Sequence, residues 1–218
     1  MPAANPDGGY RSAWAHPTLA KDFPWRRPVE TSHECLNSLK ENGAEQNWIE
    51  NMLSTIGYER SDLEDFVWTL ETTEIEVLVD IRDRAQSRRK GFSKTALSTR
   101  LAESGIRYIH YRELGDPKEG REAARAGRIK DFQRIFHSVL KTKSAQDALS
   151  ELEGLLAENL NICLLCYERS HSSCHRKIVA EELQLRTGVR LRHLGVQTGE
   201  SVREEKGRVL HHHQSAAA

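Results

Sequence analysis

Two rhythms of apolar residues run through the middle of the chain. Short runs at 52–56, 75–81 and 162–166 are almost free of charge and rich in branched aliphatic side chains. Runs of that length predict strands buried on both faces of a parallel sheet. The stretch 106–111 alternates as a strand, and 189–194 supplies a last one. Between them the period lengthens. Leu63, Phe66, Val67 and Leu70 fall on one helical stripe, as do Ala96, Leu97 and Leu101; Phe132, Ile135, Phe136, Val139 and Leu140; and Ala148, Leu149, Leu152, Leu155 and Leu156. A final helix is expected from about Cys174 to Arg186.

Local signals mark the ends. Ser61-Asp62-Leu63-Glu64 and Ser144 with Asp147 read as capping boxes that start helices, with the serine as N-cap. Gly105 and Gly188 suit the left-handed positions that close them. Strand and helix alternate throughout, which predicts an α/β domain: a Rossmann-like, doubly wound, mostly parallel five-stranded sheet with helices on both faces. Residues 1–51 mix Pro, Gly and isolated aromatics without periodicity, so they are expected to form an arm, partly disordered or weakly helical. The α/β domain spans 52–195, and 196–218 reads as a polar, disordered tail ending in a His-containing segment.

Composition narrows the function classes. Lys and Arg (32) balance Asp and Glu (32), so no global field draws the chain to nucleic acid or membrane, and any anion preference must come from local placement. No apolar run approaches the ~20 residues that span a bilayer, and the N-terminus lacks the pattern of a secretory signal. A cytoplasmic location is expected. The four cysteines are not spaced as a disulfide framework, so free thiols are expected.

In a doubly wound sheet, ligand groups collect just past the C-terminal ends of the strands. Tyr58 follows the first strand, Asp80 and Arg82 close the second, His110 the third, and Cys166 and Glu168 the fourth. Cys174, His175 and Arg176 open the next helix, where free backbone amides and the helix dipole favour an anion. Plainer readings stand beside some of these. Asp80 with Arg82 reads equally well as a salt bridge, His110 as a hydrogen-bonded core histidine, and Ser87-Arg88-Arg89-Lys90 as a solvated loop.

Three chemistries remain open for the cluster. Arg82, Arg88 and Arg176 could hold a phosphate while Glu168 or Asp80 works as general acid or base. Cys174 could be a nucleophile whose thiol is acidified by the helix N-terminus, His175 and Arg176. Cys166, His171, Cys174 and His175 could bind zinc, although Cys-x7-Cys-His matches no standard zinc spacing. No cofactor is predicted.

These motifs resemble the DUF488 family, whose activity is not established. The resemblance rests on Thr55-Ile56-Gly57-Tyr58, on Leu78-Val79-Asp80-Ile81-Arg82 with Ser87-Arg88, and on Phe92-Ser93-Lys94. Gly105-Ile106, Tyr108, His110 and Leu114-Gly115 continue it, and Leu164-Leu165-Cys166, Glu168 and Cys174-His175-Arg176 complete it. Many members resemble a Thr-Ile-Gly-His form where Tyr58 stands here, and many carry proline at the position of Ala85. The resemblance implies a Rossmann-like domain with its site at Asp80, Arg82, Arg88, Glu168, Cys174, His175 and Arg176, and it supplies no reaction. The leading expectation is therefore an enzyme-like domain acting on a nucleotide, nucleic acid or other phosphorylated ligand. Against it stand a non-catalytic module that binds a ligand or a protein partner, and a thiol or zinc site.

Overall fold

The computed structural model describes residues 52–201; the expected arm and all of the tail beyond Ser201 lie outside the described residues. Five strands, β1 (Met52–Gly57), β2 (Val77–Asp80), β3 (Arg107–His110), β4 (Ile162–Cys166) and β5 (Arg190–His193), form one sheet in the order β3-β2-β4-β1-β5. Every pairing is parallel, with Leu53 and Val77 both opposite Ile162. The expected open parallel α/β sheet is what forms.

Period-two alternation decides which side chain meets which layer. Leu53, Val77, Val79, Ile162 and Leu164 point to one face and pack with α3 (Lys118–Arg125), α4 (Ile129–Leu140), α5 (Lys143–Ala157) and α6 (His175–Thr187). Ile56, Leu78, Cys163 and Leu165 point to the other face, under α1 (Leu63–Thr72) and α2 (Lys94–Glu103). The chain leaves β1 and β2 toward the α1/α2 face, and leaves β4, which lies between them, toward the α6 face. Connections that part to opposite faces open a crevice at strand ends. The connections part at the C-terminal end of β4, at Cys166.

Helix starts differ from the sequence reading by one or two residues, for a chemical reason. Asp62, not Ser61, caps α1, its carboxylate accepting from the Asp65 amide at 2.8 Å. Ser61 is instead buried, and its carbonyl accepts from Arg89 Nε at 2.9 Å. Thr142 rather than Ser144 caps α5. Helix α3 was not foreseen at all. It buries only Gly120 and Ala123, too little apolar surface to set a period. Gly105 (φ 72°) and Gly188 (φ 73°) take the left-handed positions expected of them.

Past Gly195 the described chain is anchored rather than free. The Gly199 amide and both the amide and hydroxyl of Ser201 donate to the buried Asp65 carboxylate, and the Gln197 amide donates to Thr69 Oγ1. Burial alone would raise the Asp65 pKa, but these donors lower it. No helix among the described residues is long and apolar enough to cross a membrane.

Candidate functional site

At the β2 end, the expected ligand-binding pair is turned inward. Asp80 is fully buried and Arg82 is 5% exposed. Arg82 Nε donates to Asp80 Oδ1 at 2.8 Å, Nη2 reaches Oδ2, and Nη1 donates both to Tyr58 Oη and to the Phe92 carbonyl at 2.9 Å. Tyr108, which sequence reasoning gave no role, donates its hydroxyl to Asp80. Burial works against the Arg82 charge, yet the hydrogen bonds and charge of Asp80 raise its pKa above the ordinary arginine value. His110 Nε2 meets the Arg82 carbonyl at 2.8 Å, and the Tyr58 ring stacks on Phe92 with centroids 4.4 Å apart. The donors expected to face a ligand are committed to the protein itself. Arg88 is exposed on the β2–α2 loop and forms no ion pair among the described residues.

The β4–α6 junction is different. Gly57 lies against the loop that follows β4 so closely that an added Cβ would fall 1.9 Å from the Glu168 carbonyl oxygen and 3.0 Å from Arg176 Nη1. Arg176, only 1% exposed, donates to the Glu168 carbonyl through Nη1 and to the Arg169 carbonyl at 2.9 Å through Nη2. Its Nε is buried with no hydrogen-bond partner, and no carboxylate pairs with it among the described residues. Both Glu168 and Tyr167 are exposed on the loop. The Glu168 pKa is raised by partial desolvation, then by Cys174 and Glu59.

Under this loop, Cys166, Cys174 and His175 bring two sulfurs and a ring nitrogen within 4.8 Å of one another, all three residues buried. His175 Nε2 lies 2.9 Å from the Ile81 carbonyl. A carbonyl only accepts, so Nε2 carries the proton and Nδ1 is turned to the sulfurs, 3.5 Å from Cys166 Sγ and 3.9 Å from Cys174 Sγ. Phe136 of α4 packs on the ring with centroids 5.1 Å apart. Cys174 is the N-cap of α6, beside the free amides of its first turn.

The two thiols are driven apart electrostatically. Burial opposes a charge on Cys174, but the Cys166 thiol, His175 and Arg176 outweigh it and hold the Cys174 pKa well below a free thiol's. The hydrogen bond to Cys174 and then burial push the Cys166 thiol far up. For His175, burial is overcome by Cys174 and the Ile81 hydrogen bond, and its pKa rises. The Cys174 and His175 shifts reinforce one another, each favouring its charged form beside the other. Asp116, which follows β3, joins this field. It is 6% exposed, its Oδ1 is buried without a partner, and burial raises its pKa to about 6 against the pull of His175 and Arg121. Asp116 stands six residues past the end of β3, beyond the strand-end positions that pointed to the other residues.

The same three atoms could hold a soft metal ion. Their N–S separations of 3.5 and 3.9 Å bracket the roughly 3.6 Å that tetrahedral zinc bond lengths imply. His171, a fourth candidate from the sequence, lies elsewhere: its ring stacks on His193 of β5, centroids 3.8 Å apart. A cleft of about 390 Å³ lined by Leu156, Gly188 and Arg190 sits toward the N-terminal edge of β5, and another of about 670 Å³ is lined by Ser61, Arg89 and Gly91. Neither includes the thiols.

A family model, the domain of unknown function DUF488, matches residues 62–183. The chain belongs to this family. No curated protein and no solved structure shows a significant match. The DUF488 match takes in Asp80, Arg82, Asp116, Cys166 and the Cys174-His175-Arg176 run, so the whole thiol cluster falls within it. The Thr55–Tyr58 motif and β5 fall outside.

Proposed function

We propose that this DUF488 domain is a cysteine-dependent catalyst whose reactive group is the Cys174 sulfur. The observation that carries the reading is the position of that sulfur: at the N-cap of a thirteen-residue helix, beside His175 Nδ1 and the Cys166 thiol, where β4 ends. A helix N-terminus and a guanidinium both favour a negative charge there. Arg176, which has no carboxylate partner among the described residues, then finds its counter-charge in the thiolate. The anion suited to this helix end is the protein's own sulfur, and a bound phosphate would compete with it. Asp80 and Arg82, expected to serve a phosphorylated ligand, are occupied with Tyr58, Tyr108 and Phe92. The thiolate reading is favoured over structural zinc because such a site takes four ligands, only three converge among the described residues, and His171 stacks on His193 instead.

Pulse alkylation tests the reading. With iodoacetamide and peptide mass spectrometry, the rate at Cys174, slowed by its 3% exposure, is expected to change little between pH 8 and pH 6, where an ordinary thiol slows by roughly a hundredfold. A Cys174 rate that falls with pH like an ordinary thiol's would sink the proposal.

A further inference from the structure

We propose that Cys166 and Cys174 act as a redox pair that reduces a disulfide substrate and closes into an intramolecular disulfide. This rests on the reading of Cys174 as the reactive sulfur and adds a second thiol, a substrate class and a reaction. Their sulfurs lie within 4.8 Å, so a relative movement of at most about 2.8 Å brings them to the ~2.05 Å of a disulfide bond. The two positions are not symmetric. Cys174 opens α6, whereas Cys166 ends β4 on the face shared with Leu164. Cys163 lies on the opposite face of the sheet, so the strand itself keeps it out of the pair.

The step balances with a disulfide RSSR as oxidant. The Cys174 thiolate attacks one sulfur, the S–S bond of RSSR breaks, and RS⁻ leaves as a mixed disulfide forms on Cys174. His175 loses its anionic neighbour and gives its Nδ1 proton to that RS⁻. The emptied Nδ1, 3.5 Å from Cys166 Sγ, then takes the Cys166 proton. The new thiolate attacks Cys174 Sγ, the mixed disulfide breaks, and the second RS⁻ departs. One RSSR is reduced to RSH and RS⁻, and the two cysteines are oxidised to one disulfide. Excess monothiol runs the same steps backward. Geometry suits the order of events: His175 Nδ1 lies between the two sulfurs, 3.9 Å from the attacking Cys174 Sγ and 3.5 Å from the resolving Cys166 Sγ.

The test uses the full chain, freed of metal by chelation, incubated with oxidised glutathione and trapped for peptide mass spectrometry. The expected products are a Cys166–Cys174 disulfide in wild type and a stable glutathione adduct on Cys174 in Cys166→Ser. In Cys174→Ser neither product is expected. A Cys174 adduct that persists in wild type as it does in Cys166→Ser would overturn the pair while leaving Cys174 as the reactive sulfur. Absence of any adduct on Cys174 in both proteins would overturn both readings. A stoichiometric zinc ion in the freshly purified protein, lost in Cys166→Ser and in Cys174→Ser alike, would also overturn the pair.

Discussion

Asp80→Asn is expected to lower unfolding stability by about 3–5 kcal/mol, the cost of leaving a buried ion without its partner. Asp80 is the only carboxylate within ion-pair distance of Arg82 among the described residues, and Arg82 is itself buried. The amide keeps the shape of the carboxylate but not its charge. It also leaves the Tyr108 hydroxyl facing a weaker acceptor. Urea unfolding of the variant measures the loss. Replacing both members by apolar residues, Asp80→Leu with Arg82→Met, should recover much of it, since no charge is then stranded. If Asp80→Asn proves as stable as wild type yet abolishes alkylation of Cys174, Asp80 acts in the chemistry and the structural account of this pair is wrong.

Gly57→Ala is expected to cost about 3 kcal/mol, toward the upper end for overpacking. Its Cβ would sit 1.9 Å from the Glu168 carbonyl oxygen and 2.7 Å from the carbonyl carbon, and backbone cannot swing aside as a side-chain tip can. The loop has little freedom to yield. Arg176 holds the Glu168 and Arg169 carbonyls, and the Glu59 amide donates to the Tyr167 carbonyl at 2.9 Å. Relief of the clash must break some of these bonds and shift the start of α6, which carries Cys174. Thermal unfolding with alkylation alongside tests this: both stability and the Cys174 rate retained at pH 6 should fall together. A Gly57→Ala protein with wild-type stability would show that the loop can move away from β1 without loss.

These effects also explain what could and could not be read from the chain. Strands such as 162–166 were legible because a parallel sheet covered on both faces favours apolar side chains, which here leave an unbroken run. Helix α3 was not, because Gly120 and Ala123 are its only buried residues and its other positions are largely charged. The helix caps were half legible. The Ser61-Asp62 pair offers two side-chain acceptors one residue apart, and it is the Asp62 carboxylate that takes the Asp65 amide.

The site divides in the same way. Cys174, His175 and Arg176 are adjacent in sequence, and Cys166 joins them because the strand end and the helix start face one crevice. Asp116 reaches the cluster only through β3 and the loop after it, so nothing near Cys174 in the sequence announces it. Arg82 illustrates the opposite case. Its position past a strand end is that of a ligand-binding residue, but Arg82 is buried and its donors meet Tyr58, Asp80 and Phe92. Those are tertiary facts that no local pattern encodes.

The central claim, a thiolate at Cys174, is tested most directly by the ultraviolet absorbance of thiolates near 240 nm, titrated from pH 9 downward in wild type and Cys174→Ser. The difference between the two curves should show a thiolate already present at neutral pH and lost only well below the ~8.5 of a free thiol. Cys163→Ser should match wild type over that range, because burial drives the Cys163 pKa up. A difference curve that disappears as the pH falls through the ordinary thiol range would contradict the account, since Cys174 would then carry no charge for Arg176 and the α6 N-terminus to hold.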